Sequence, residues 1–150
     1  MKIRILAVGR QKPSPTLDLC EEYLKRMKWT VTLKEVDAGK AATARAEAAL
    51  LLPEIKKPCF AVALDERGDT LGSEAFAARL QDWHGRLPSG GEVVFIIGGA
   101  DGLSDEIRKN ADFRLSFGKQ TWPHMLVRVM LLEQIYRAQQ ITAGHPYHRP

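Results

Sequence analysis

The chain has 150 residues, a length that suits one domain built on one core over residues 1–150. Its 45% hydrophobic content argues against disorder, no apolar run approaches the ~20 residues of a membrane span, and Met1–Leu6 lacks the apolar stretch of a signal peptide, so a cytoplasmic protein is expected. The net charge of +4 is modest but segregated: residues 1–57 carry +5, residues 58–112 carry −5 and residues 113–150 carry +4, so converging ends would form a cationic face suited to phosphate.

Taken in order, strand-like and helix-like patterns alternate. Lys2–Val8 is β-branched and apolar, and Gly9 breaks it. Thr16–Met27 places Leu17, Cys20, Tyr23, Leu24 and Met27 on one helical face. Thr30–Val36 alternates as a strand does, and Ala41–Leu52 is an alanine-rich helix closed by Pro53. Cys59–Leu64 is a continuous apolar run that predicts a buried strand. Ser73 reads as the N-cap of a helix running to about Leu87. After the Pro88–Gly91 turn, Glu92–Ile97 predicts a second buried strand. A short helix opens at Ser104 or Asp105, Phe113–Phe117 forms a strand, and Pro123–Ile141 is the longest helix. Repeated strand–helix units with apolar strands imply an α/β domain, its mainly parallel sheet covered by helices on both faces. Cys20 and Cys59 have no paired spacing, which disfavours both a zinc site and a disulfide.

Two loops and the tail carry the chemistry. Gly98-Gly99-Ala100-Asp101-Gly102 follows a buried strand and precedes a helix. Ligands of parallel sheets bind beyond the carboxyl ends of strands, and glycines there allow a close approach to the backbone. The loop is neither a dinucleotide fingerprint nor a Walker-type phosphate loop, and a tight turn without ligand is the competing reading. Leu115–His124 is the second loop, in which Phe117 and Trp122 would wall an aromatic ring or simply join the core. His145, Tyr147, His148 and Arg149 close the chain, in a tail shaped by Gly144 and Pro146. No carboxylate or cysteine cluster accompanies the histidines, so no metal is expected. His124 and Arg128 stand one helical turn apart at the start of the last helix, as surface polarity or at the mouth of a site.

The same residues carry a family resemblance over the whole length. Ile97-Gly98-Gly99-x-x-Gly102-Leu103, then Leu115-Ser116-Phe117 and Thr121-x-Pro123-His124, then Val127-Arg128-Val129, Glu133-Gln134-x-Tyr136-Arg137-Ala138 and the closing Pro146-Tyr147-His148 resemble the RlmH family of SPOUT-type methyltransferases. So do Ile5-x-Ala7-Val8-Gly9 and Tyr23-Leu24-x-Arg26. The resemblance implies a homodimer and a trefoil-knotted C-terminal half. It implies S-adenosylmethionine held by Leu64, by Gly98 and Gly99, and by Phe117, Gly118, Lys119, Gln120, Thr121 and Trp122. The implied substrate is a pseudouridine of 23S rRNA in the ribosome, methylated at ring nitrogen N3. Gly118 and Gln120 fall where the family varies, as does Arg149-Pro150 after the Tyr-His pair.

An imide N–H becomes nucleophilic when its proton leaves, so a base is expected. His148 is the candidate base, Arg149 the candidate stabiliser of anionic oxygens, and Tyr147 the candidate stacking or positioning group. Two alternatives are a SPOUT enzyme acting on another RNA and a non-catalytic RNA- or nucleotide-binding module. The apolar residues around much of the last helix, Leu126 to Tyr136, imply a face left over for a partner subunit.

Overall fold

Five strands, all parallel, form the sheet in the order β2-β1-β4-β3-β5. The strands are β1 (Lys2–Val8), β2 (Thr30–Val36), β3 (Cys59–Thr70), β4 (Glu92–Ile97) and β5 (Phe113–Ser116). The helices are α1 (Pro15–Arg26), α2 (Ala44–Leu51), α3 (Ser73–Gly85), α4 (Asp105–Asn110) and α5 (His124–Thr142). The computed structural model describes residues 1–150, the side chain of Ala41 excepted.

The apolar strands are buried on both faces, and their alternation sorts the core into two layers. Ile3, Ile5, Val62, Val93 and Phe95 face α1, α3 and α5. Leu6, Val8, Ala61, Val94 and Ile96 face α2 and α4. Cys20 joins the first layer and Cys59 the second, both as free thiols that burial pushes up in pKa. Among the described residues no helix is long and apolar enough to cross a membrane.

Three expectations change. Strand β3 runs six residues beyond Leu64, and its pairing with β5 slips between Leu64 and Asp69. Residues 65–68 bulge out of the ladder there. Gly68 makes this possible, because a Cβ on it would lie 2.6 Å from the Arg114 carbonyl oxygen. Ser73 is the first helical residue of α3 rather than its N-cap, which is Gly72, and its hydroxyl donates to Gln134 Oε1 on α5 at 2.9 Å. The apolar girth of α5 is largely covered within the chain, since α1 and α3 flank it. Leu131, Leu132, Ile135 and Ala138 are fully buried.

The start of α5 is held by Arg128, which has no exposure to solvent. Its guanidinium donates to the carbonyls of Val8 (2.8 Å) and Gly9 (2.7 Å) and pairs with Glu35 at 2.7 Å. One cation thereby ties α5 to the carboxyl ends of β1 and β2. Arg128→Leu is expected to lower stability by about 3–5 kcal/mol, since it strands buried acceptors. Glu35→Gln is expected to cost less, because the Glu35 side chain is 33% exposed and the carbonyls keep their donor. Urea midpoints of the two variants test the ordering.

Candidate active site

A parallel sheet puts the carboxyl ends of all its strands on one edge. Three chain segments leave that edge from β3, β4 and β5, and they enclose a cavity of about 320 Å³. Such a volume falls within the roughly 300–1,000 Å³ of small-molecule sites. Its wall includes Leu64 from β3, Gly98 and Gly99 after β4, and Phe117, Gly118, Gln120, Thr121 and Trp122 after β5. Lys119 lies in the same loop, exposed, and does not face the cavity.

Each segment is braced locally. The turn after β4 closes with the Gly102 N–H donating to the Gly99 carbonyl at 3.0 Å, and Gly102 adopts φ 75°. Ser104 then caps α4, its hydroxyl accepting from the Ile107 N–H. The β5 loop is folded around the buried Ser116, whose hydroxyl accepts from the Gly118 N–H at 3.1 Å. Thr121 donates to Glu66 Oε2 at 3.1 Å and the Trp122 indole donates to the Phe117 carbonyl at 3.3 Å.

The glycine pair serves the loop's own packing. A Cβ on Gly98 would lie 2.7 Å from the Gly102 carbonyl carbon, and one on Gly99 would lie 2.7 Å from Glu47 Oε1 and 3.2 Å from Val8 Cγ1. Both added atoms would meet protein. Glu47, on α2, is buried behind Gly99, and burial pushes its carboxyl pKa up, with a smaller opposing pull from the Gly99 N–H.

Sequence reasoning missed the bulge after Leu64. It delivers Asp65, Glu66 and Arg67 to the cavity. Asp65 is buried and accepts from Arg108 Nε at 2.9 Å, which draws α4 over the site. The signal was Gly68 following three charged residues at a strand's end. Asp65, Glu66 and Asp101 against Arg67 and Arg108 give the lining one net negative charge.

His124 also lines this cavity, at the first turn of α5. It packs on Gly9, where a Cβ would lie 3.6 Å from its Nε2. Among the described residues neither of its ring nitrogens has a hydrogen-bond partner. Burial first, and then the nearby Arg128, hold its pKa below the ordinary histidine value.

The tail sits elsewhere. Tyr147 donates to Glu133 Oε1 at 3.0 Å and meets the Tyr136 ring edge-on at 5.0 Å between centroids. His148 Nδ1 faces Arg137 Nη1 at 3.2 Å, and Arg137 pairs with Glu133 as the i,i+4 spacing on α5 anticipates. Arg149 is exposed. Nine helical residues separate His124 from Glu133, about 14 Å along the axis. Tyr147, His148 and Arg149 are therefore not brought to the cavity of their own chain.

Two solved structures share the fold. A probable methylase family protein from Haemophilus influenzae Rd KW20 matches 99% of this chain and 70% of its own, with TM-score 0.58 and 12% identity. The SpoU methyltransferase AviRb from Streptomyces viridochromogenes, solved in complex with the cofactor AdoMet, matches 94% of this chain and 58% of its own, with TM-score 0.50 and 13% identity. These likenesses concern the fold. The family described as "Predicted SPOUT methyltransferase" matches residues 1–148, and the chain belongs to it. Within it, the protein named ribosomal RNA large subunit methyltransferase H from Rhodospirillum centenum is 56% identical over 99% of both chains. The protein of the same name from Paramagnetospirillum magneticum is 49% identical over the full length of both.

Two predictions follow from the packing. Gly98→Ala is expected to destabilise more than Gly99→Ala, because its clash is with backbone whereas the Gly99 clash is chiefly with a side-chain end. The overpacking cost at Gly98 is about 1–3 kcal/mol, read from thermal or urea unfolding. The second concerns Tyr147, whose pKa burial and the Glu133 hydrogen bond push up to about 12. A raised phenol stabilises the docked tail below pH 10, and that stabilisation is lost as pH rises from 10 toward 12. Tyrosinate absorbance should show a late-titrating component that is lost in Tyr147→Phe and moves toward 10 in Glu133→Gln.

Proposed function

We propose that this rRNA methyltransferase moves the methyl group of S-adenosylmethionine to N3 of a pseudouridine in 23S rRNA, on the assembled ribosome, and works as a homodimer. The observation that carries the cofactor assignment is the meeting of three loops, 64–67, 98–103 and 117–122, around one cavity beyond the strand ends. S-adenosylmethionine has a sulfonium, an ammonium and a carboxylate, for a net charge of +1. The singly negative lining complements it, and Ile97, Leu103, Leu115 and Val127 offer apolar surface to the adenosine. Leu64, Gly98, Gly99 and the stretch Phe117–Trp122 hold it, chiefly through backbone groups. The trefoil knot belongs to the same reading, because loops from β3, β4 and β5 must stack closely to share this wall.

Bound S-adenosylmethionine supplies a methyl group already electrophilic on sulfur. The chain's own task is to align a nucleophile with it and remove a proton. For RNA, Arg10 and Lys12 follow directly on Gly9, which packs on His124, and Lys119 leaves the β5 loop. All three cations are exposed and stand close in sequence to, or in the loop with, residues at the cavity. Ribosomal RNA as substrate puts the protein in the cytoplasm.

The tail enters through the dimer. Tyr147, His148 and Arg149 lie about 14 Å along α5 from their own cavity, a gap that a second copy closes if its tail faces the first copy's site. A groove of about 580 Å³ beside α5, walled by Leu19, Phe76, Val129 and Met130, offers apolar surface for that association. Leu19 is 42% exposed. In this arrangement Tyr147 stacks on or positions the base and Arg149 meets phosphate or carbonyl oxygens.

A chain truncated after Gly144 should keep its S-adenosylmethionine affinity by calorimetry, because no cavity residue lies beyond Val127. It should lose methyl transfer from tritiated S-adenosylmethionine to ribosomes. Full methylation by the truncated chain would remove the tail from the reaction.

A further inference from the structure

We infer that His124, rather than His148, is the proton acceptor of the methyl transfer. The inference rests on the reaction proposed above and deepens it. A general base needs a free lone pair within reach of the proton it takes. Four histidines are available, and their surroundings separate them.

His148 presents Nδ1 to Arg137 at 3.2 Å. A guanidinium only donates, so this nitrogen is the acceptor and its lone pair is occupied. The remaining Nε2 then carries the hydrogen, 4.0 Å from Glu74 Oε1. His145 is engaged in the same way, since its Nδ1 accepts from the Tyr147 N–H at 3.2 Å. His84 lies on α3 and does not face the cavity. His124 faces the cavity, and both its nitrogens lack partners among the described residues.

The neighbours of His124 keep it neutral. Arg128 lies one turn away on α5, and Glu35 on β2 pairs with that Arg128. Across the cavity stand Asp65, Glu66 and Arg67 on the bulge, Asp101 in the β4 loop and Arg108 on α4. Asp65 is neutralised by Arg108 and Glu66 is engaged by Thr121, so no carboxylate bonds directly to the imidazole to hold a proton there. Burial and Arg128 push the pKa down, so the neutral, accepting form prevails at physiological pH.

The step balances without a further reagent. An imidazole nitrogen of His124 takes the N3 proton while the N3 electron pair forms the bond to the methyl carbon. The carbon–sulfur bond breaks with its electron pair left on sulfur, as neutral S-adenosylhomocysteine. The imidazolium beside Arg128 then releases its proton to solvent.

The test compares wild type, His124→Ala, His124→Gln and His148→Ala. Methyl transfer to ribosomes is measured in single turnover across pH, alongside calorimetric S-adenosylmethionine binding and histidine NMR titration of the free protein. Both His124 variants should bind S-adenosylmethionine within about threefold of wild type and transfer methyl roughly 10²–10⁴-fold more slowly. The wild-type rate should fall as pH drops through a midpoint below 6.5, that of a histidine resonance missing in His124→Ala. That acid limb should be absent from both His124 variants and kept in His148→Ala. Near-wild-type rates in the His124 variants, loss of S-adenosylmethionine binding in both, or an acid limb that vanishes with His148→Ala instead would each overturn the assignment. A wild-type protein that binds S-adenosylmethionine but methylates no ribosome would sink the underlying reading, a result distinct from any of these.

Discussion

Arg128 is a full positive charge with no access to water, and a buried cation is tolerated only when its donors are met. Two backbone carbonyls and one carboxylate, all three at the ends of β1 and β2, accept from its two Nη groups, and Nε alone is left without a partner among the described residues. Helix α5 therefore cannot slide or rotate without breaking charge-assisted hydrogen bonds. Its first turn is fixed in place, and with it His124 at the cavity wall. The same guanidinium lowers the proton affinity of that histidine. Arg128 thus fixes where the candidate base stands and adds to burial, the larger cause, in favouring its neutral form.

The cavity depends on irregular backbone that the regular sheet makes affordable. Strands β3, β4 and β5 are hydrogen-bonded along parallel ladders, so their carboxyl ends are held in register. Against that fixed edge the bulge at 65–68 turns charged residues outward and the 98–102 turn closes on itself. Each irregularity needs a glycine for a steric reason. Gly68 passes the Arg114 carbonyl, and Gly98 passes the Gly102 backbone. These glycines make room for protein rather than for ligand, and the cavity lies where the rigid turns leave space.

Much of this was legible in the residues. Strands β1 and β4 have the ends their apolar runs indicate, because a run buried on both faces has sharp polar borders, and the edge strand β2 has the ends its alternation indicates. The loops after β4 and β5 announced themselves through glycine and aromatic residues at strand ends. The continuation of β3 did not, because Asp65-Glu66-Arg67-Gly68 reads locally as a turn and only β5 gives it a partner. The cover of α5 was legible only in part: α1 and α3 supply a layer from within the chain, while Val129 and Met130 still line a groove beside it. The sequence left Arg128 between surface polarity and the mouth of a site and did not show its burial, since its partners lie some ninety and one hundred and twenty residues away.

The tail gives the sharpest contrast between composition and placement. His145, Tyr147, His148 and Arg149 have the side chains a reaction would want, yet three of the four are engaged by hydrogen bonds that do not involve the cavity. Tyr147 lies against Tyr136, Arg137 and Glu133, which is the packing of an anchor. An anchored tail at the far end of α5 is poorly placed to catch a proton from a base in its own cavity. It is well placed to present a stiff edge to a neighbouring molecule. On the proposed reading the labour divides: the chain that holds the cofactor would supply His124, and a tail anchored by Glu133 would supply the surface against which the RNA base is pressed. A reaction whose cofactor already carries the reactive methyl needs little more than alignment and one proton acceptor.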